Sequence, residues 1–134
     1  MRYYIAYKFL GNDKESLKNN LEFISDEINK TGNETFIFFR DVQSRGDIKI
    51  DINEIMQKAY GEIDKSQGLF IFIDNVEKSE GLLLEAGYGK AKGKKIILAI
   101  KKEIDLRLLR SIADKIIEFD SIDELPEKII KELS

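Results

Sequence analysis

Two segments of the sequence, residues 69–73 and 95–100, are apolar at almost every position. A strand with one face in water alternates apolar and polar side chains, whereas a strand covered on both faces is apolar throughout. Strands of the second kind belong mostly to parallel sheets, whose connecting helices lie on the two faces. These segments therefore predict the centre of an α/β sheet.

Five predicted strands alternate with five predicted helices along the chain. The strands lie at residues 2–9, 35–39, 69–73, 95–100 and 116–119, and the helices at about 13–30, 52–63, 79–93, 105–113 and from 121 onward. For 134 residues, this alternation predicts a single domain, 1–134, with a flavodoxin-like three-layer sandwich and a five-stranded parallel sheet of order 2-1-3-4-5. In that order the winding reverses between strands one and three, where ligands bind at the carboxyl ends.

The chain contains no cysteine and no histidine. Disulfides and thiolate metal sites are therefore excluded, and the commonest metal ligand and neutral-pH base are absent, so we expect no metal and no cofactor. The net charge of −3 argues against nucleic acid as a partner. No segment is apolar over a membrane-spanning length, and a strand pattern begins at Arg2 without a signal peptide. These features predict a cytoplasmic protein that does not bind membranes.

The most unusual segment, residues 79–89, follows the third predicted strand and reads as the start of a helix. Ser79 is a suitable N-cap, and Glu80 lies in the first turn, where negative charge is favoured. Glu85 is the one acid within the apolar, glycine-rich part that follows. It could be part of a solvated Glu–Lys pair on the helix surface. Its place at the expected ligand-binding edge favours a nucleophile or a general base instead.

The residues around Glu85 suggest what this helix approaches. Ser79 could be a helix cap only, or its hydroxyl and the first helical amides could bind an anion. Glycine inside a helix costs about 1 kcal/mol relative to alanine, so each one needs a reason. Close packing against the sheet is the expected reason for Gly87, and approach of a ligand is the expected reason for Gly81.

Other candidate site residues lie at the same predicted edge of the sheet. Asp74 ends strand three and is expected to point into the crevice, flanked by Tyr4, Ala6 and Tyr7 of strand one. The polar segment 41–51 carries Arg45 and could close over a ligand, as loops at this edge often do. It could equally be only a polar connection.

The helix segment resembles the nucleoside 2-deoxyribosyltransferase superfamily, which includes N-glycosidases of nucleoside 5′-monophosphates. The hallmark of this family is an apolar strand, a short loop and a glycine-rich helix that carries a glutamate. Matching residues are Gly81, Glu85, Gly87, Tyr88, Ala91, Gly93 and Lys94, with Gly89 where alanine is usual. Tyr4-Ile5-Ala6 also resembles the first strand of the family, whose tyrosine lines the site.

The resemblance implies that Glu85 attacks the anomeric carbon of a (deoxy)ribosyl group and expels the base. The sugar would then pass from the enzyme to water or to another base, as in retaining glycosidases. Asp74 or another acid would protonate the leaving base. Ser79, where transferases often carry an acid, favours a 5′-monophosphate as ligand, because an acid would repel a phosphate. The resemblance also implies a homo-oligomer.

Two positions depart from the family pattern. Relatives usually carry an aspartate before strand three, but here Asp64 is displaced in register and Asp51 lies at the helix start. Strand one continues through Tyr7 and Lys8, where relatives often have glycine. A non-catalytic nucleotide-binding module on the same fold therefore remains an alternative. A phospho-acceptor receiver domain is disfavoured, because strand one lacks the acidic pair and strand five the lysine that such a domain requires.

Overall fold

The computed structural model describes residues 1–8, 13–42 and 51–133. Its five strands are all parallel and are ordered β2-β1-β3-β4-β5. They are β1 (Arg2–Ala6), β2 (Glu34–Ile37), β3 (Gly68–Ile73), β4 (Lys95–Lys101) and β5 (Lys115–Phe119). The α/β class and the predicted strand order are both confirmed.

The helices connect successive strands and cover the sheet. They are α1 (Lys14–Lys30), α2 (Phe38–Asp41), α3 (Ile52–Asp64), α4 (Glu80–Ala91), α5 (Arg107–Ile112) and α6 (Leu125–Leu133), with a 3-10 turn at Ile122–Glu124 before α6. Helices α1 and α6 pack against each other, and α3 packs against α4. No helix within the described ranges is long and apolar enough to cross a membrane.

The core lies on both sides of the central strands, as the apolar runs predict. All six residues of β3 are buried, and so are the five central residues of β4. From the helices, Leu21, Ile24 and Ile28 of α1 and Ile129 of α6 are fully buried. This double coverage explains why β3 and β4 carry no polar alternation.

The second strand ends two residues earlier than predicted. The apolar residues Phe38 and Phe39 favour a strand, but they begin the short helix α2. The carboxylate of Asp41 accepts a hydrogen bond from the amide of Ile37 at 2.9 Å and an ion pair from Arg40 at 2.9 Å. These contacts favour a turn over a further strand pair, and they bring Phe38 to the edge of the sheet.

Helix α4 approaches the sheet through Gly89, and the expectation for Gly87 is wrong. A β-carbon on Gly89 would lie 2.7 Å from Cδ1 of Leu69, whereas one on Gly87 would meet no atom within 4 Å. The buried residues of α4 are Leu82, Ala86 and Gly89. Their spacing of four and three marks the face that contacts the sheet, and Gly87 lies off that face.

Candidate active site

A cavity of about 260 Å³ lies where β1, β2 and β3 lead into the following segments. Among the residues that the structure describes, its polar side chains are Tyr4, Tyr7, Ser79 and Glu85. The remaining lining residues are Ile5, Phe38, Ile52, Ile55, Met56, Ala59, Gly81 and Leu82. The described lining therefore combines one carboxylate and three hydroxyls with an apolar wall at the predicted switch point.

Glu85 occupies the second turn of α4 and is only partly exposed to solvent. Its carboxylate accepts a hydrogen bond from the hydroxyl of Tyr4. Burial raises the pKa of Glu85 to about 7, and the hydrogen bond from Tyr4 opposes this rise. A carboxyl with such a pKa changes its charge near neutral pH, which is typical of groups that carry out acid–base or nucleophilic chemistry.

Tyr4 is held rigidly within the sheet. The residue is 1% exposed, and its ring stacks on Phe36 of β2 with 5.4 Å between ring centroids. Burial and the adjacent charge of Glu85 raise the pKa of Tyr4 far above its ordinary value. The hydroxyl therefore keeps its proton and acts as a fixed donor to the carboxylate.

Tyr7 directly follows β1, and its side chain contacts α2. Its hydroxyl accepts a hydrogen bond from the amide of Phe39 at 3.1 Å, and the two rings meet edge to face. Burial raises the pKa of Tyr7, so this hydroxyl also stays neutral. The contact places a second protonated phenol on the cavity wall.

Ser79 caps α4, since its Oγ accepts a hydrogen bond from the amide of Leu82 at 3.2 Å. It also lines a second cavity of about 460 Å³. The other lining residues there are Lys8, Glu77, Lys78, Leu82, Leu83 and residues 105–109. A β-carbon on Gly81 would meet no atom within 4 Å. The start of α4 is thus open to both cavities.

Several predicted site residues do not line the described part of this cavity. Glu80 is exposed, and Ala6 is buried in the sheet opposite Ile71. Asp74 accepts a hydrogen bond from the side chain of Asn75 at 3.3 Å. None of Glu80, Ala6 and Asp74 is among the described lining residues of the Glu85 cavity. Arg45 lies outside the described residues.

The apolar wall of the cavity was missed at the level of sequence. Ile55, Met56 and Ala59 lie in the predicted helix 52–63 and line the cavity, together with Phe38. A signal was present, because an apolar stripe on the helix that precedes β3 must lie beside the switch point of this fold.

The two aspartates considered as family equivalents do not line the described part of the cavity. Asp64 ends α3, where its carboxylate accepts a hydrogen bond from the hydroxyl of Tyr88 at 2.8 Å. Asp51 precedes α3 and makes no side-chain capping hydrogen bond. Within the residues that the structure describes, no group of three or more acidic side chains could hold a metal ion.

Solved structures of similar fold cover nearly the whole chain. The CMP N-glycosidase of Clostridium botulinum has a TM-score of 0.71 and 23% identity, and the match covers 96% of this chain and 98% of that chain. The 2-deoxyribosyltransferase of Bacillus psychrosaccharolyticus has a TM-score of 0.72 and 17% identity, with 94% and 90% covered. This chain has their fold. A conserved protein of Enterococcus faecalis is equally similar, with a TM-score of 0.72, 14% identity and 99% of both chains covered.

The comparison confirms the resemblance stated from the sequence at the level of the fold. No family model matches the sequence, and no curated protein matches it.

Proposed function

We propose that the protein cleaves the N-glycosidic bond of a nucleoside or of its 5′-monophosphate, with Glu85 as nucleophile. The observation that carries this proposal is the hydrogen bond from Tyr4 to Glu85 inside a cavity at the switch point of the sheet. The shared fold with an N-glycosidase and a deoxyribosyltransferase adds support.

The proposed reaction has two displacements at the anomeric carbon. A carboxylate oxygen of Glu85 forms a bond to this carbon while the carbon–nitrogen bond breaks, and the base leaves with the electron pair and takes up a proton. Water or a second base then attacks the same carbon and releases the carboxylate, as in retaining glycosidases. The positive charge that develops on the sugar is stabilised by the adjacent carboxylate.

Tyr4 would act on the carboxylate rather than on the sugar. A buried, neutral phenol that donates to one carboxylate oxygen leaves the other oxygen for attack. The hydrogen bond also favours the ionised form of Glu85, which is the reactive form. Tyr4 therefore orients the nucleophile and keeps part of it ionised at neutral pH.

The start of α4 suits a 5′-phosphate. Amides at the N-terminus of a helix bind anions, and the Oγ of Ser79 accepts from Leu82 while its own proton remains available for a phosphate oxygen. Gly81 leaves open space beside the first turn. These features support a nucleoside 5′-monophosphate as the preferred substrate.

Which group protonates the leaving base stays a prediction. Glu85 is the only carboxylate among the described lining residues. The proton would therefore come from solvent or from a group outside that lining, for which Asp74 remains the candidate.

The proposal is tested with a panel of nucleosides and their 5′-monophosphates. Each is incubated with the protein, and the products are separated by chromatography. We expect release of free base from at least one member, and a loss on the order of 10³-fold or more in Glu85→Gln. Glu22→Gln, at an exposed position of α1, is the matched control and should retain activity. No base release from any member by the native protein would contradict the proposal.

A non-catalytic nucleotide-binding module is the second candidate. It is favoured by the position of Asp64, which contacts Tyr88 instead of the described cavity lining. A Glu85 carboxyl that is partly protonated at neutral pH could also donate a hydrogen bond to a bound ligand. This candidate predicts thermal stabilisation by nucleotides without turnover, so multiple turnovers in the same panel exclude it.

A further inference from the structure

Lys8 is a buried cation at the end of the first strand, where the chain leaves β1. The residue is only 3% exposed, and burial lowers its pKa while the charges of Asp74 and Glu77 oppose this effect. A buried ammonium is strongly destabilising unless hydrogen-bond acceptors surround it. The hydrogen-bond acceptors around Lys8 therefore indicate the structural role of this side chain.

The ammonium of Lys8 binds the loop between β3 and α4. Its Nζ donates to the backbone carbonyl of Asn75 at 2.7 Å and to that of Glu77. The side chain of Asn75 bends the loop between these two carbonyls, because its Oδ1 accepts from the amide of Glu77 at 2.9 Å. The loop is thus folded around the ammonium.

This loop leads directly into the candidate site. It ends at Ser79, which caps α4 and lines both cavities. Tyr4 of β1 contacts Glu85, and Lys8, two residues after β1, contacts the loop that leads into α4. The first contact lies at the carboxylate, and the second lies just before the start of the helix.

We propose that Lys8 is a positioning residue for the substrate site: it holds the β3–α4 loop so that Ser79 and the first turn of α4 can receive the 5′ end of the ligand. The part of this proposal that concerns the ligand rests on the proposed function. The part that concerns the loop does not, because it follows from the contacts of Lys8 alone. The two parts are tested by separate measurements.

Amide hydrogen exchange without ligand tests the first part. Lys8→Met keeps a long apolar stem but removes the donor, and we expect exchange in residues 75–84 to become about tenfold faster or more. The β4 segment, Lys95–Lys101, serves as internal reference for global stability. Lys131→Met, at an exposed position of α6, should leave both segments unchanged. Unchanged exchange in residues 75–84 of Lys8→Met overturns the proposal, whatever the native protein does to nucleotides.

Steady-state kinetics test the second part. On the best substrate, Lys8→Met should raise KM about tenfold with a smaller change in kcat, since the Tyr4–Glu85 contact does not involve the ammonium. A fall in kcat with unchanged KM would overturn the assignment to ligand positioning. A native protein that turns over nothing refutes the proposed function, and the exchange measurement alone then decides the role of Lys8.

A second variant applies if Lys8→Met does not fold. Lys8→Gln keeps a polar side chain that is shorter and uncharged, so it does not reach both carbonyls as the ammonium does. It should accelerate exchange in residues 75–84 in the same direction as Lys8→Met. Normal protection of that segment in Lys8→Gln would overturn the proposal.

Discussion

The hydroxyl of Tyr4 in β1 donates a hydrogen bond to the carboxylate of Glu85 in α4, across 81 residues of sequence. Two opposing effects act on the carboxyl through its surroundings: burial raises its pKa, and the hydrogen bond from Tyr4 lowers it. Burial dominates, and the resulting pKa of about 7 makes the charge of Glu85 sensitive to pH in the neutral range.

The first prediction concerns the pH dependence of activity. If ionised Glu85 is the nucleophile, kcat/KM should rise with pH and level off above an inflection near pH 7, which is the pKa of the carboxyl. Initial rates between pH 5 and about pH 9 measure this. A profile that is flat or falls across the neutral range would exclude an ionised Glu85 as the reactive group.

The second prediction uses Tyr4→Phe. This variant removes the hydrogen bond that lowers the pKa of Glu85, so the inflection should move to higher pH and activity at neutral pH should fall. The same pH series measures the shift. Tyr60→Phe is the control and should keep the native profile, because this partly buried ring packs at a tilt against Tyr88. An unchanged inflection in Tyr4→Phe would show that the hydrogen bond has no influence on the carboxyl.

The third prediction concerns stability. Because the pKa of Glu85 is raised by folding from 4.5 to about 7, the native state binds more protons than the unfolded state between these values. The stabilising contribution of Glu85 to the free energy of unfolding is therefore fully present below pH 4.5 and is lost as pH rises to about 7.

Glu85→Gln should remove this dependence. The free energy of unfolding of the variant, relative to that of the native protein, should rise by up to about 3 kcal/mol from acid to neutral pH. The reason is that one pKa unit corresponds to about 1.4 kcal/mol. Urea denaturation at a series of pH values measures the difference. A constant difference between the two proteins over this range would mean that Glu85 titrates normally.

The fourth prediction compares two glycines of α4. Gly87→Ala should stabilise the protein by about 0.5–1 kcal/mol, because alanine favours the helix and its β-carbon meets open space. Gly89→Ala should be less stable than Gly87→Ala by about 1–3 kcal/mol, since its β-carbon would press on the buried side chain of Leu69. Chemical denaturation of both variants measures this difference in stability. Equal stabilisation by the two substitutions would contradict the close approach of α4 to the sheet at Gly89.

The fifth prediction separates the two roles of Ser79. Ser79→Asp keeps a good N-cap, so the stability of the protein should change little. The added charge should weaken binding of a nucleoside 5′-monophosphate roughly tenfold or more, while the corresponding nucleoside binds as before. Calorimetric titration with both ligands measures this. Equal affinities for the monophosphate in the native and variant proteins would place the phosphate away from Ser79.

Local pattern was sufficient for much of the fold. The apolar runs in β3 and β4 predicted a doubly covered parallel sheet, and the alternation of elements predicted its strand order. The pattern failed where the side chain of a nearby residue changed the backbone conformation from strand to helix, as at Phe38. There the carboxylate of Asp41 binds the amide of Ile37 and begins a helix, although the aromatic residues favour a strand.

The sequence by itself predicted the five strands, their order and the candidate glutamate, because apolar periodicity and capping residues act over a few neighbouring positions. Only the tertiary structure decided that Tyr4 contacts Glu85, that Gly89 rather than Gly87 meets the sheet, and that Lys8 holds the loop before α4. It also placed Asp74 outside the described lining of the Glu85 cavity. The physical reason is that burial, charge and hydrogen bonding at a site depend on groups distant in sequence. Their relative positions are set by the packing of strands and helices, and no local pattern records them.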